Sequence, residues 1–233
     1  GHQGAALGGA RVLARRHAVP KHLALKGVAR RGVGVAMQRR LAAELPGASP
    51  ETVAALALLG GGDLGRALML GSPTGERLRT AAEECARWAL AGDGEGRPWA
   101  DLLAIASERG KQRGATVVDA ADERAAELGK GRDADRVRRE GAEAAKRAER
   151  RARTEAVDVA LGLTAAWFTD LVAIAEGAPE LVRNGDRAAE LAADAQGVDP
   201  VAAREAAALA MSTRRHLQVN VNEDLALDAL FHR

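Results

Sequence analysis

Few residues in this 233-residue chain have the type and spacing to do chemistry. The five histidines, His2, His17, His22, His216 and His232, are dispersed, and Pro20 interrupts the short spacing between His17 and His22. A metal centre needs several converging ligands, and a Ser/His/Asp arrangement needs a histidine held between two partners. Neither pattern is suggested, so no catalytic residue and no metal site is expected. Cys85 shares a helical face with Leu78, Ala82, Ala86 and Ala89 and reads as a small core residue, because a nucleophilic thiol wants a histidine and positive surroundings. As the single cysteine it can form no intramolecular disulfide. Gly60, Gly62 and Gly65 spell Gly-x-Gly-x-x-Gly, but that pattern holds a dinucleotide only after a strand, and the preceding run is capped and Ala/Leu-rich like a helix. A phosphate-cradling Gly-x-x-x-x-Gly-Lys-Ser/Thr loop is absent, so no cofactor is expected.

Positive charge is the remaining chemical resource. The net charge of +2 divides into +9 over residues 1–43, which hold nine Lys or Arg and no acid, and −7 over the rest, which hold 25 basic and 32 acidic residues. Arg11, Arg15, Arg16, Lys21, Lys26, Arg30, Arg31, Arg39 and Arg40 could attract nucleic acid, since phosphate neutralisation needs only mobile positive charge. Gly and Arg alternate there without a sustained helical period, so residues 1–45 are expected to be a poorly ordered basic segment. The segment lacks the apolar stretch and cleavage pattern of a secretory signal and is not read as a targeting peptide.

The elements that position these residues read as helices throughout. Fifty-four residues are Ala, while Trp, Phe and Tyr number 3, 2 and 0, so the core must be aliphatic and closely spaced, as helix-on-helix packing permits. Ser49, Pro50 and Glu51 start a helix that Gly60-Gly61-Gly62 stops, and Asp63 caps a second short one. Further helices are expected over Glu76–Leu90, Trp99–Arg109, one or two long ones over Val117–Ile174, then Val201–Leu217 and a last one capped by Asn222. Asp186 is expected to cap a helix carrying Ala189, Leu191 and Ala192. Residues 130–153 mix Arg and Lys with Asp and Glu at helical spacing and read as a solvated arm, with a one-sided basic stripe as the other reading. Trp167 and Phe168, two of five aromatics, lie in an apolar band with Val157, Leu161, Leu171 and Ile174 that serves as core or subunit contact. No run is expected to reach the roughly 20 apolar residues of a membrane span, so no membrane partner is expected.

Two groups of residues carry a family resemblance. The run Gly61-Gly62-Asp63-Leu64-Gly65-Arg66-Ala67-Leu68 resembles the start of a lid-domain helix in clamp-loader ATPases. Leu163-Thr164-Ala165-Ala166-Trp167-Phe168-Thr169-Asp170, then Leu181-Val182-Arg183-Asn184-Gly185-Asp186, then the stretch from Arg214 to Leu230, resemble in that order the C-terminal part of the delta-prime subunits of bacterial DNA polymerase III clamp loaders. The resemblance covers about residues 46–233. It implies an all-α protein with lid-type helices over 46–74 and a helical-bundle collar domain over 75–233, cytoplasmic, helping to load the sliding clamp onto primed DNA. Its partners would be the other clamp-loader subunits, with the clamp and DNA reached through the complex. The resemblance places Arg66 toward nucleotide phosphates, with a surface or interdomain salt-bridge residue as its other reading, and assigns subunit contacts to Trp167, Phe168, Leu227, Leu230 and Phe231. Thr169 stands where the family pattern suggests Arg, which removes a salt bridge from that position. Residues 1–45 do not look like the family's N-terminal domain, so the expectation is a truncated or partly mistranslated subunit of a polymerase holoenzyme, without catalysis of its own. The alternative is a free-standing helical nucleic-acid-binding protein using its basic N-terminal segment.

Overall fold

Serine and proline pairs start the first long helices of the computed structural model, which describes residues 34–92, 96–217 and 222–232. After a first helix, α1 (34–44), α2 (Pro50–Leu59) begins with Ser49 Oγ accepting the Thr52 N–H at 3.1 Å and Pro50 in the first turn. In α3 (Leu64–Leu70), Asp63 accepts the Arg66 N–H at 2.9 Å. Ser72 and Pro73 repeat the Ser-Pro start for α4 (Pro73–Ala91), which therefore begins three residues before the expected Glu76. It ends at Gly92 in the left-handed region, where glycine carries no Cβ penalty.

Two long helices follow. α5 (Ala100–Glu127) runs through Gly110 and Gly114 rather than stopping at Arg109, and α6 (Arg132–Ala175) spans 44 residues, about 66 Å at 1.5 Å per residue. The turn between them uses Gly129 and Gly131 at positive φ, and the chain reverses into an antiparallel hairpin. α7 (Ala188–Asp194) and α8 (Pro200–Leu217) fold back on the C-terminal half of α6, and α9 (Glu223–Phe231), capped by Asn222 as expected, closes the chain. No strand occurs among the described residues, so the class is all-α.

One apolar cluster joins Met37 and Leu41 of α1, Val53 and Leu56 of α2, Leu70, Leu78 and Cys85, Trp99 and Leu102, Val157 to Leu163 of α6, and Leu227 of α9. Residues before and after position 75 thus share one core. The helix 34–44 corrects the expectation of a poorly ordered segment up to residue 45: Met37 and Leu41, four apart, are buried on one face, which outweighs the surrounding Gly and Arg. The remainder of that segment, with Arg11, Arg15, Arg16, Lys21, Lys26, Arg30 and Arg31, lies outside the described residues. A second cluster holds Trp167, Phe168, Leu171, Leu191 and Ala203 under α7 and α8. One 18-residue window of α6 has the length and composition to cross a membrane, contrary to the sequence expectation, and 78% of it is buried inside the fold, as in a core helix.

Candidate functional site

The polar residues brought together by this fold form two groupings, one inside the body and one on the hairpin. Inside, the Asp170 carboxylate of α6 accepts the backbone N–H groups of Arg183 and Asn184 at 3.0 and 2.9 Å and the Asn184 side-chain amide at 2.8 Å. Arg79 of α4, 2% exposed, donates two bonds of 2.9 Å to Asp186 and a longer one to the Asn184 side-chain oxygen. Asp186 is therefore not the cap of α7: it sits in a 3-10 turn, Gly185–Arg187, and its carboxylate is taken by an arginine 107 residues away. Arg187 adds ion pairs to Glu76 and, at 3.4 Å, to Glu83.

Burial pushes the Glu83 carboxyl above its usual value, against the pull of Arg187 and Arg79. Burial likewise raises Asp170, against the donors of Asn184 and Arg183. Asp170 and Asp186 are held by arginine, amide and backbone donors, while Glu83 has an ion pair to Arg187 but no hydrogen bond to its buried Oε1, so the arrangement fixes a loop to two helices. It leaves no free acid and base converging on a cleft.

The aromatics are used in the same way. Trp167 lies beneath the Arg87 guanidinium, 4.9 Å from the ring centre, and donates Nε1–H to Asp194 at 3.0 Å. Phe231 stacks on Trp99 at 5.6 Å, and the Trp99 Nε1–H reaches Asp224 at 3.1 Å. That bond, with the neighbouring Arg97, holds the Asp224 carboxyl below its usual range. The subunit contacts assigned to Trp167, Phe168 and Leu227 are corrected: all three are buried within the chain's own core, because α7 and α8 cover the α6 face and α9 turns Leu227 inward. Leu230 and Phe231 remain half-buried at the edge of that core.

Arg66 is half-buried on α3 and makes no ion pair among the described residues, so the interdomain salt bridge considered for it is absent there. Gly60, Gly62 and Gly65 follow helix α2 rather than a strand, with Gly61 and Gly62 at positive φ in the turn before α3. Cys85 is fully buried, donates to the Pro98 carbonyl at 3.2 Å, and has its thiol pushed up to about 12 by burial, which makes it inert. His2, His17 and His22 lie outside the described residues; among the described residues no group of three His, Cys, Asp or Glu is placed to hold a metal ion.

The second grouping lies on the α5/α6 hairpin. Its seam is made of small residues: a Cβ on Gly110 would stand 2.9 Å from the Glu149 carbonyl, and one on Gly141 would stand 2.3 Å from the Ala121 Cβ. Close backbones bring the flanking side chains of both helices together. Arg109, Gln112, Arg113 and Thr116 of α5 and Arg147, Arg151 and Glu155 of α6 line an open groove of about 700 Å³. Sequence reasoning found neither grouping complete. Asp170, Arg183 and Asn184 were named through the resemblance, Asp186 also as a helix cap, and Arg79 carried no local signal.

No family model, curated protein or solved structure matches this chain.

Proposed function

We propose that the chain is a non-catalytic assembly subunit of a bacterial DNA polymerase III clamp loader, delta-prime-like, with lid-type helices over 46–74 and a collar-type bundle over 75–233. The observation that supports this reading most is the use made of the residues that carry the resemblance. Asp170 of the Trp-Phe-x-Asp run and Asn184 and Asp186 of the Arg-Asn-Gly-Asp run close on one another and on Arg79, forming a structural lock. Their spacing is then required by folding and asks for no substrate. A rigid helical body without converging acid and base suits a cytoplasmic partner protein that works through contacts with motor subunits, the sliding clamp and primed DNA.

Contacts with neighbouring subunits would fall on α9, where Leu230 and Phe231 are half-buried and Leu225 is 66% exposed. The test is size-exclusion chromatography of the full chain mixed with purified bacterial clamp-loader motor subunits. Co-elution that Leu225→Asp weakens supports the reading. Separate elution contradicts it, and separate elution with salt-sensitive DNA binding that is lost on neutralising residues 1–43 favours the free-standing nucleic-acid-binding protein.

A further inference from the structure

The arginines on the hairpin groove are sorted in a way the linear sequence hides. Gly110 lies opposite Glu149 and Arg153, Gly114 opposite Ala145 and Glu149, and Gly141 opposite Ala121, which fixes the antiparallel register of α5 and α6. In that register Arg109 faces Arg151 and Arg113 faces Arg147 across the groove. Two like-charged pairs stand side by side, about 6 Å apart along the helix axes, since four residues at 1.5 Å separate them. Arg109, Arg113 and Arg151 make no ion pair among the described residues, and Arg147 has only Glu143, at 3.9 Å and well exposed. Arg109 Nε is also shut away from solvent without an acceptor.

The imbalance is local to the middle of the hairpin. Residues 109–116 and 144–155 hold eight Lys or Arg and two acids, whereas residues 117–143 hold six and eight. The outer end is therefore net −2 and the middle net +6, or +5 once Arg153 is set against its partner Glu223 of α9. Four arginines line this groove with Glu155 as the one acid, and an anion with repeated charge offsets that excess through charge-assisted bonds.

We propose that this groove binds the phosphate backbone of double-stranded nucleic acid. Arginine rows on two parallel rods match a backbone that presents negative charge at regular intervals, and Gln112 and Thr116 add neutral polar groups between them. Duplex is the form expected because no aromatic side chain lines the groove to stack an unpaired base. Glu223 of α9 bonds Arg153 and Thr154 beside the groove, but the groove arginines are not the α9 residues assigned to subunit contact, so Leu225→Asp and the groove variants test the two readings separately.

The test is fluorescence anisotropy of the full chain with a labelled mixed-sequence DNA duplex of about 20 base pairs, at about 50 and about 200 mM salt. The triple variant Arg113→Gln, Arg147→Gln, Arg151→Gln changes exposed residues and leaves the fold intact by circular dichroism. It is expected to weaken binding about tenfold or more at low salt and to reduce the slope of log affinity against log salt by about 2 to 3. A control with the same charge change at the outer end, Arg132→Gln, Arg136→Gln, Arg139→Gln, is expected to lose less than about threefold. Equal affinity in the groove triple and the unaltered chain overturns the proposal, as does an equal loss in the control. Tighter binding of the single-stranded oligomer, or displacement of the duplex by polyglutamate at matched charge, overturns the assignment to duplex nucleic acid.

Discussion

Around Trp167 the chain buries large rings, an arginine and several carboxylates in one cluster; around Gly110 and Gly141 it buries little except Ala and Gly. The body and the hairpin share the same helices, since α5 and α6 run through both, yet different interactions hold them. In the body, Arg79, Asp170 and Asp186 have partners far away in sequence, so removing one leaves a buried group without its mate. On the hairpin, stability comes from close backbone approach along a narrow seam, and most of the charges, Arg109 Nε excepted, face water. The contrast separates a part that must be rigid from a part whose surface is free to meet a partner.

The comparison breaks first at Arg79. Arg79→Ala should strand Asp186 and Asn184 in the interior and lower stability by about 3–5 kcal/mol, read by urea unfolding. A loss below about 1 kcal/mol would show that the lock does not hold the body together. Asp170→Ala comes next, at about 2–4 kcal/mol, because two backbone N–H groups lose their acceptor. On the hairpin, Gly141→Leu should cost about 1–3 kcal/mol, since a Cβ added there would stand 2.3 Å from the Ala121 Cβ, and the damage should stay near the outer end.

A pH series sharpens the same contrast. Burial holds the Glu83 carboxyl above the usual 4.5, so the folded chain binds that proton more tightly than the unfolded chain does. Relative to Glu83→Gln, the unaltered protein should be weakest above the raised value and recover as pH falls through it toward 4.5, as urea unfolding at about pH 7 and about pH 5 would show. The smallest effect belongs to the exposed hairpin pair Arg138 and Asp122, 3.7 Å apart, where Arg138→Ala should change stability by less than about 0.5 kcal/mol.

Helix starts were legible wherever a cap lies next to the helix it serves, as at Ser49, Asp63 and Asn222. The helix expected from Glu76 starts three residues earlier, on the same Ser-Pro signal at Ser72 and Pro73; Gly75 lets α4 pass the α3 end, where a Cβ would meet the Met69 carbonyl at 2.0 Å. The helix expected to end at Arg109 continues through Gly110 and Gly114, which are contact points between two helices. Asp186 looked like a local cap and is the partner of Arg79, a pairing between residues 107 apart that no local pattern encodes. The aromatics were legible as important and illegible as to what they touch, because an apolar band reads alike whether its own chain or a neighbour covers it. The arginine groove needed the hairpin register: residues 130–153 hold ten basic and five acidic residues, but only the pairing with α5 sets Arg109 and Arg113 beside Arg147 and Arg151.

The division between body and hairpin is tested most directly by native-state hydrogen exchange resolved by peptide. Amides of α4 and of residues 156–172 in α6 should exchange only with the opening free energy that urea unfolding gives for the whole chain, while residues 117–143 should exchange through a local opening of smaller free energy. A single opening free energy shared by both regions would contradict the account.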